Sequence, residues 1–386
     1  MPSYGGSACV SQRYMYARYI NQAQGERSLV AAVTLSQLKL GEKINEDVLT
    51  PLGSILFQKG RVITTKEIEI LQAFLITNVE VESNQASGKI REDADDDTGQ
   101  EANSVIAASP LHEEYDKMVN VLRKVFNSFV AGQAMPVMDI RKQLEKMLEH
   151  IKSYNLLTFI PRQFMEKDYL LHNSITSALT SYQIAQWTGF PQKDWMQIAF
   201  AGLLHDIGNV RIDKAILTKP NTLSVEEKEE MMRHTVLGYQ LLKNVPALNE
   251  GVKMAALQHH EKVDGTGYPL GIDATKIHPY AKIVAIADIF HAMTLNKAYR
   301  KAASPYLVLE QIQSDAFGKL DPAYVRTFIE KATQFHNGTI VKLSDERMGE
   351  IVFSDRNYPT RPWVSIEGTI VNLIVDRNLH IKEVLR

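Results

Sequence analysis

The sequence predicts a mainly α-helical protein, in which a helical bundle lies between a small N-terminal α+β unit and a short C-terminal β segment. Apolar residues recur at i, i+3, i+4 and i+7 intervals between about residues 111 and 335, as in amphipathic helices. Short stretches rich in β-branched residues and bounded by turn formers occur within 29–85 and 336–386. Histidines and aspartates recur at the ends or inner faces of the predicted helices, and an antiparallel bundle would gather such positions at one place.

Length and composition narrow the class of protein further. At 386 residues the chain is long for one domain, so two or three domains are expected. A net charge of -2 gives no overall field that attracts DNA, RNA or an anionic membrane, so we expect no DNA partner. The single cysteine, Cys9, allows neither an internal disulfide nor a Cys-x-x-Cys zinc site. No apolar run reaches the roughly 18–20 residues of a membrane span, and the start of the chain lacks the apolar core of a signal peptide. These features predict a cytoplasmic protein.

The first 110 residues predict three segments: a polar arm at 1–28, a small α+β accessory domain at 29–85 and an acidic linker at 86–110. Within the accessory domain, SLVAAVTL and GSILFQKG are typical of strands, and Thr64 with Glu67 forms a capping-box pattern before a helix. The linker contains few apolar residues and an Asp-Asp-Asp run, which indicates a solvated segment. A metal site in that run is the alternative, although nothing in the sequence would fix its geometry.

Residues 111–335 predict a helical domain, and residues 336–386 predict a β subdomain that contains GTIVKLSDERMGEIVFSD and VSIEGTIVNLIVD. The helical domain begins with two amphipathic helices, and such apolar stripes indicate packing rather than contact with a cofactor. The positions that we expect in the core are Tyr115, Met118, Val119, Leu122, Val125, Phe126 and Phe129, then Ile140, Leu144, Met147, Leu148 and Ile151.

Five of the eleven histidines stand apart because they accompany aspartates or each other on successive predicted helices. They recur about every 25–33 residues, which is the length of one helix plus a return. Polar groups at the buried end of an apolar helix need partners, so we expect these side chains to converge. The set consists of His172, His205, His234, His259 and His260, together with Asp168, Asp206 and Asp288.

The chemistry of this set indicates a metal centre. Imidazole and carboxylate ligands without a thiolate suit Fe, Mn, Ni or Zn, and two such ions about 3.5–4 Å apart can activate a bridging hydroxide for attack on phosphorus. His259 and His260 would point about 100° apart on a regular helix, so they would serve two ions, or one ion and a substrate. Gly208, which follows His205 and Asp206, is interpreted as a helix-ending glycine.

The order of these residues resembles the His…His-Asp…Asp signature of the HD phosphohydrolase superfamily. With HDIGN, KAILTKPNTLSVEEKEEMMRH, HHEKVDGTGYP and ADIFHAMTLNKAYR, the segment of roughly 165–325 is similar to the HD-GYP family of bacterial cyclic di-GMP phosphodiesterases. The resemblance implies an HD-type helical bundle as the catalytic domain at 111–335. It also implies hydrolysis of cyclic di-GMP to linear pGpG and/or GMP through a metal-bridged hydroxide. The flanking α+β and β units look like regions that accompany such domains.

The resemblance further implies roles for individual residues. Two or three divalent ions are expected, with Fe or Mn favoured and Ni or Zn as alternatives, and Asp206 would bridge two of them. Asp206, His205 and Asn209 would form the catalytic group. Asp168 stands where three-metal members have a glutamate that helps hold the third ion; a hydrogen bond on the helix surface is the alternative. The implied metal ligands are His172, His205, Asp206, His234, His259, His260, Asp288 and Asp168, and the implied substrate contacts are Asn209, Asp264, Tyr268, Lys297 and Arg300.

Asn209 is a departure from the family pattern, which usually reads His-Asp-x-Gly-Lys. A lysine would offer a charged donor to a phosphate oxygen, whereas asparagine offers a neutral and weaker one. Lys297 and Arg300 resemble the other phosphate-facing basic residues of the family and could partly compensate; an ordinary solvated helix end is the alternative. Tyr268 is expected at the rim of the pocket, unless it only packs the loop that carries it.

Three functions therefore remain open: a cyclic di-GMP phosphodiesterase, the same chemistry on another cyclic dinucleotide such as cyclic GMP-AMP, and a weakly active sensor or partner-binding module. Candidate partners are a second copy of the chain or a signalling domain, bound through the Gly-Tyr-Pro loop or the N-terminal domain. The sequence leaves open the metal identity and count, the substrate base, the input signal and the oligomeric state.

Overall fold

The protein is mainly α-helical, with small antiparallel sheets towards both ends of the chain, so the predicted fold class is confirmed. The computed structural model describes residues 17–18, 29–83, 109–130, 133–296, 302–333 and 337–385. Apart from a few residues, the predicted N-terminal arm and acidic linker lie outside this part of the chain. The predicted domain boundaries stay a prediction.

The N-terminal unit contains a four-stranded sheet, a two-stranded ribbon and one helix. The sheet has the order β1-β2-β6-β3, and β4 pairs with β5. The predicted capping box is confirmed, because the Glu67 carboxylate accepts hydrogen bonds from the backbone N–H and hydroxyl of Thr64. The elements are β1 Ala17–Arg18, β2 Leu29–Thr34, β3 Lys43–Ile44, β4 Val48–Leu49, β5 Ile55–Phe57, α1 Thr65–Ala73 and β6 Asn78–Ser83.

The middle of the chain folds into the helical bundle. Helix α4 packs against α5 and α10, and α9 also contacts both α5 and α10, so these four helices surround one apolar core. The elements are α2 Pro110–Val130, α3 Val137–Glu149, α4 Tyr169–Trp187, α5 Gln192–Leu204, α6 Lys214–Leu217, α7 Val225–Met232, α8 His234–Leu242, α9 Glu250–Gln258, α10 Pro279–Thr294, α11 Pro305–Asp315 and α12 Pro322–Ala332. In the described parts of the chain, none of the helices has the length and apolar character needed to cross a bilayer.

The apolar stripes of α2 and α3 face this core, as the periodicity predicts. Tyr115, Met118 and Leu122 on α2 and Leu144 on α3 are fully buried. Ile151 differs from the prediction, because α3 ends at Glu149 and Ile151 begins a separate 3₁₀ turn that still packs on the core.

The last strands form a five-stranded antiparallel sheet in the order β10-β9-β8-β7-β11. This sheet also packs on the N-terminal unit: Ile340 and Leu385 join the apolar cluster of that unit, and Lys66 forms an ion pair with Glu383 at 2.7 Å. The N-terminal unit and the C-terminal sheet therefore stabilise each other. The elements are β7 Ile340–Leu343, β8 Met348–Phe353, β9 Trp363–Ile366, β10 Thr369–Asn372 and β11 Ile381–Val384.

Candidate metal centre

A cluster of imidazole and carboxylate groups lies where α5, α8, α9 and α10 meet. Each helix is largely apolar and presents its polar residue at a terminus or, in α10, in the middle of a buried face. His205 caps the C-terminus of α5 and Asp206 follows it, His234 begins α8, His259 caps the C-terminus of α9 and His260 follows it, and Asp288 lies within α10. The predicted convergence of these six side chains is therefore seen in the structure.

Asp206 is the centre of the cluster, because its two carboxylate oxygens face different histidines. Oδ1 lies 3.3 Å from Nε2 of His234 and 3.7 Å from Nε2 of His259. Oδ2 lies 3.4 Å from Nε2 of His205, which is also 3.3 Å from Oδ1 of Asp288. Two ligand groups result, with the ligand atoms of each within 4.8 Å of one another: Asp206 with His234, His259 and His260, and Asp206 with His205 and Asp288.

Backbone carbonyls fix the orientation of three imidazoles. In each case Nδ1–H donates to a carbonyl three or four residues earlier in the chain: His205 to Gly202 at 2.8 Å, His234 to Met231 at 2.7 Å and His259 to Ala255 at 2.9 Å. The proton on Nδ1 leaves the lone pair of each Nε2 directed into the cluster. Metal-binding histidines are oriented in the same way in proteins of known structure.

The cluster has an excess of electron-pair donors, which makes it fit a divalent cation. The Nε2 atoms of His234 and His259 face each other at 3.2 Å although both are acceptors in this tautomer, and Nε2 of His205 is buried without a hydrogen-bond donor. No lysine or arginine of the described segments forms an ion pair with Asp206 or Asp288. Imidazole and carboxylate donors together, with no thiolate, suit a divalent metal ion.

The pKa directions show which of the ligands are already in the protonation state that a metal requires. Burial lowers the pKa of His205, but the carboxylates of Asp206 and Asp288 outweigh burial and hold that pKa well above its usual range. Burial raises the pKa of Asp206, yet His205 and its neighbours hold it well below its usual range. Burial lowers the pKa of His260 far below the usual value, with a further contribution from His259. The ionised carboxylate of Asp206 and the neutral imidazole of His260 are in the states that bind a metal, whereas His205 holds a proton that metal binding would release.

His259 and His260 both reach the same group, contrary to what a regular helix would allow. Helix α9 ends at Gln258, so the two residues lie in the turn that follows it. Their ring centroids are 4.2 Å apart, and both offer an atom to the group around Asp206. The expected divergence of about 100° applies only if both residues are helical, and the helix ends at Gln258, before either of them.

The structure does not bring His172 or Asp168 into either group. Nδ1 of His172 lies 3.0 Å from the hydroxyl of Tyr115, and its Nε2 is buried without a partner. Asp168 accepts a hydrogen bond from Arg123 at 3.0 Å, which neutralises its carboxylate. Asn173, which follows His172 on α4, instead reaches the centre, and its amide donates to Oδ1 of Asp288 at 2.8 Å. The ligand roles of His172 and Asp168 stay predictions.

Asn209 lies in a 3₁₀ turn, Ile207–Arg211, three residues after Asp206. Its side chain is buried, and its Oδ1 has no hydrogen-bond partner in the described structure. Gly208 has another role than the one expected: α5 already ends at Leu204, and Gly208 packs against the backbone of His234. A Cβ on Gly208 would lie 1.9 Å from the carbonyl oxygen of His234, so only glycine permits this contact.

The remaining candidate substrate contacts lie on the loop after α9 or outside the described part of the chain. Tyr268 lies beside the centre with its ring 4.7 Å from that of His260. Asp264 is exposed and accepts hydrogen bonds from the backbone and hydroxyl of Thr266, so it also shapes its own turn. Lys297 and Arg300 lie outside the described residues.

Four residues that contact or adjoin predicted site residues were missed by the sequence reasoning: Tyr115, Arg123, Asn173 and Glu261. The helical period places Tyr115 in the core, but it does not reveal that the Tyr115 hydroxyl forms a hydrogen bond with Nδ1 of His172. Arg123 is far from Asp168 in sequence, so no local pattern could connect the two. Glu261 could have been found from the sequence, because it directly follows His259 and His260 in the HHEKVDGTGYP stretch. In the structure its side chain is buried.

Parts of this sequence match one family model and several known proteins. Residues 146–324 match the family model described as HD domain. The chain is 28% identical over 198 residues to a cyclic di-GMP phosphodiesterase of Pseudomonas aeruginosa, which is 51% of this chain and 48% of that protein. It is 37% identical over 152 residues to a cyclic di-GMP phosphodiesterase of Thermotoga maritima, covering 39% and 41% of the two chains. It is 32% identical over 154 residues to 3′3′-cGAMP-specific phosphodiesterase 3 of Vibrio cholerae, covering 40% and 33%.

The helical bundle and its histidine–aspartate centre define an HD domain. Residues 146–324 match that domain, and with the HHEKVDGTGYP stretch after α9 this segment is similar to the HD-GYP family. The chain matches between a third and a half of the length of each of these three relatives.

Proposed function

We propose that the protein is a metal-dependent phosphodiesterase that hydrolyses cyclic di-GMP to linear pGpG and/or GMP. The observation that carries this proposal is the division of the Asp206 carboxylate between two ligand groups, with one oxygen facing His234 and His259 and the other facing His205. A carboxylate shared in this way suits two adjacent ions, and paired ions are typical of enzymes that cleave phosphate esters. The relatives named cyclic di-GMP phosphodiesterases support the choice of substrate.

His234, His259 and His260 would hold one ion with Asp206, and His205 and Asp288 would hold a second with the same aspartate. When bound, divalent ions supply Lewis-acid activation of water and of a phosphate oxygen. Fe or Mn is the proposed metal, and Ni or Zn would also suit the donors. The protein orients the ligands through the three Nδ1–H bonds to carbonyls and through the Asn173 amide, which holds Asp288.

Asn209 is the proposed contact to the scissile phosphate, since it is buried three residues beyond Asp206. Its NH₂ group can donate to a phosphate oxygen but carries no charge. Transition-state stabilisation at this position is therefore weaker than a lysine would provide. Tyr268 and Asp264 are proposed to border the substrate, and Lys297 and Arg300 to offset the missing charge.

The same chemistry on 3′3′-cyclic GMP-AMP is the second candidate function, because Asn209 departs from the usual lysine and three relatives are named for that substrate. A weakly active sensor is the third candidate, and it predicts tight binding without turnover. Histidine and aspartate side chains are present in both ligand groups that share Asp206, and this favours the enzyme over the sensor.

Product chromatography separates these functions. The protein, reconstituted anaerobically with Fe(II) or Mn(II), is incubated in parallel with cyclic di-GMP and 3′3′-cyclic GMP-AMP, and kcat/KM is compared. The proposal predicts pGpG or GMP from cyclic di-GMP at the higher kcat/KM. Preference for cyclic GMP-AMP would move the assignment to the second candidate. Tight binding of either nucleotide to a metal-loaded protein that forms no product would establish the sensor.

A further inference from the structure

His260 differs from the other three histidines around Asp206 in how its ring is held. His205, His234 and His259 each donate Nδ1–H to a carbonyl, whereas no described residue forms a hydrogen bond with the imidazole of His260. The His260 ring instead stacks on Tyr268, with centroids 4.7 Å apart and an angle of 25° between the planes. An aromatic contact therefore takes the place of the usual orienting hydrogen bond.

The position of Tyr268 is set by hydrogen bonds that join its loop to residues 260 and 261. The backbone N–H of Tyr268 donates to the carbonyl of His260 at 3.2 Å. Beyond the tyrosine, the N–H of Leu270 donates to Oε1 of Glu261 at 2.6 Å, and the N–H of Ile272 donates to Oε2 at 3.2 Å. The loop is thus hydrogen-bonded to His260 through Tyr268 itself and to Glu261 through Leu270 and Ile272.

Glu261 depends on these loop contacts as much as the loop depends on it. Its side chain is buried, and no described residue forms an ion pair with it. A buried carboxylate is unfavourable unless donors compensate it, and here two backbone N–H groups do so. Gly267 allows the close approach, because a Cβ there would lie 2.5 Å from Cα of Glu261 and 2.4 Å from the backbone nitrogen of Lys262.

We propose that Glu261 is a positioning residue: its carboxylate holds the loop that carries Tyr268, and the Tyr268 ring in turn fixes the imidazole of His260 towards the metal centre. The two loop N–H groups use different carboxylate oxygens, so both oxygens must accept. The effect on catalysis rests on the proposed function, whereas the effect on metal binding does not.

The test uses the full-length protein and Mn²⁺ as the probe, with affinity measured by calorimetry and by the Mn²⁺ EPR signal. Glu261→Gln replaces one accepting oxygen by an NH₂ group, Tyr268→Ala removes the ring, and Tyr268→Phe keeps the ring without the hydroxyl. We expect Glu261→Gln and Tyr268→Ala each to weaken Mn²⁺ binding about 10-fold, the usual effect of losing an orienting partner. Tyr268→Phe is expected to bind as the wild type does. Glu330→Gln, at an exposed i, i+4 pair on α12, is the matched control.

Three results decide the proposal. Hydrogen exchange of the amides of Leu270 and Ile272 should be faster in Glu261→Gln, and the double variant Glu261→Gln/Tyr268→Ala should bind Mn²⁺ no worse than either single variant, because both act through the same ring. Additive losses would show that Glu261 acts independently of Tyr268, and wild-type affinity in Tyr268→Ala would show that the ring does not orient His260. Either outcome overturns the proposal. None of these readouts requires a nucleotide. If the Mn²⁺ affinities of the variants are as expected but the wild type turns over no substrate, only the proposed function is contradicted.

Discussion

Replacing Gly208 by alanine tests whether the contact between the 3₁₀ turn and α8 sets the geometry of the centre. The new Cβ would lie 1.9 Å from the carbonyl oxygen of His234, and such atoms essentially never approach closer than 3.0 Å. The turn and helix must therefore separate by about 1 Å, since neither backbone can rotate away as a side chain could. His234 begins α8 and Asp206 precedes Gly208 by two residues, so the separation acts directly on their 3.3 Å contact.

Metal–ligand distances tolerate deviations of only about 0.2 Å, and a misplacement of about 1 Å in an active site can lower activity about 100-fold. We expect Gly208→Ala to retain little metal on the His234 side of the centre and to lose at least about 100-fold in kcat/KM. Metal content is measured by mass spectrometry after reconstitution with Mn²⁺, and far-UV circular dichroism reports whether the helices remain folded.

Gly238 provides a matched control on the other side of the same contact. A Cβ there would have its nearest neighbour, the nitrogen of Gly208, at an ordinary 3.4 Å, and alanine within a helix is favoured over glycine by up to about 1 kcal/mol. Gly238→Ala should therefore keep wild-type metal content and equal or greater stability. A Gly208→Ala protein that binds metal and turns over substrate like Gly238→Ala would refute the reasoning.

Three further predictions follow from other contacts. Asn209→Lys should raise kcat about 10-fold with cyclic di-GMP, since a charged donor strengthens a hydrogen bond by roughly 1 kcal/mol or more; unchanged turnover would make the position incidental. Arg123→Gln should raise the metal content above that of the wild type, because the guanidinium that pairs with Asp168 at 3.0 Å is lost; equal content would exclude Asp168 as a ligand. Burial lowers the pKa of His291 to about 3, so the unfolded chain takes up a proton first as the pH falls. The contribution of neutral His291 to the free energy of unfolding is therefore fully present above the unfolded-state pKa of about 6.5 and decreases below it. We compare metal-free, chelated wild type with His291→Gln. The difference between their free energies of unfolding should decrease by about 1.4 kcal/mol from pH 7.5 to pH 5.5. A constant difference would contradict that linkage.

The features that sequence could predict are those with a local or periodic cause. The capping box of α1 depends on Thr64 and Glu67 three residues apart, and the stripe from Tyr115 to Phe129 repeats with the helical period. The centre was predictable because a carboxylate such as Asp288, within a run of buried apolar residues, requires partners of opposite or complementary character. Regular spacing of helices then indicated that those partners were the histidines.

Features that depend on tertiary contact were not predictable in the same way. The close approach of Gly208 to His234 joins two elements 26 residues apart in sequence, and a glycine after a helix has a more common local explanation. The turn that unites His259 and His260 depends on α9 ending at Gln258, and helix ends are poorly defined by periodicity. The packing of the C-terminal sheet on the N-terminal unit, through Ile340, has no local signature at all.

The central claim is that the groups sharing Asp206 bind a pair of divalent ions on which hydrolysis depends. The most direct measurement titrates the chelated protein anaerobically with Mn²⁺ and records bound metal and product from cyclic di-GMP on the same samples, for the wild type and for Asp206→Ala. We predict that the wild type becomes active as a second ion binds per chain, whereas Asp206→Ala binds little metal and forms no product. Product formed by the metal-free wild type, or by Asp206→Ala at the wild-type rate, would contradict the claim.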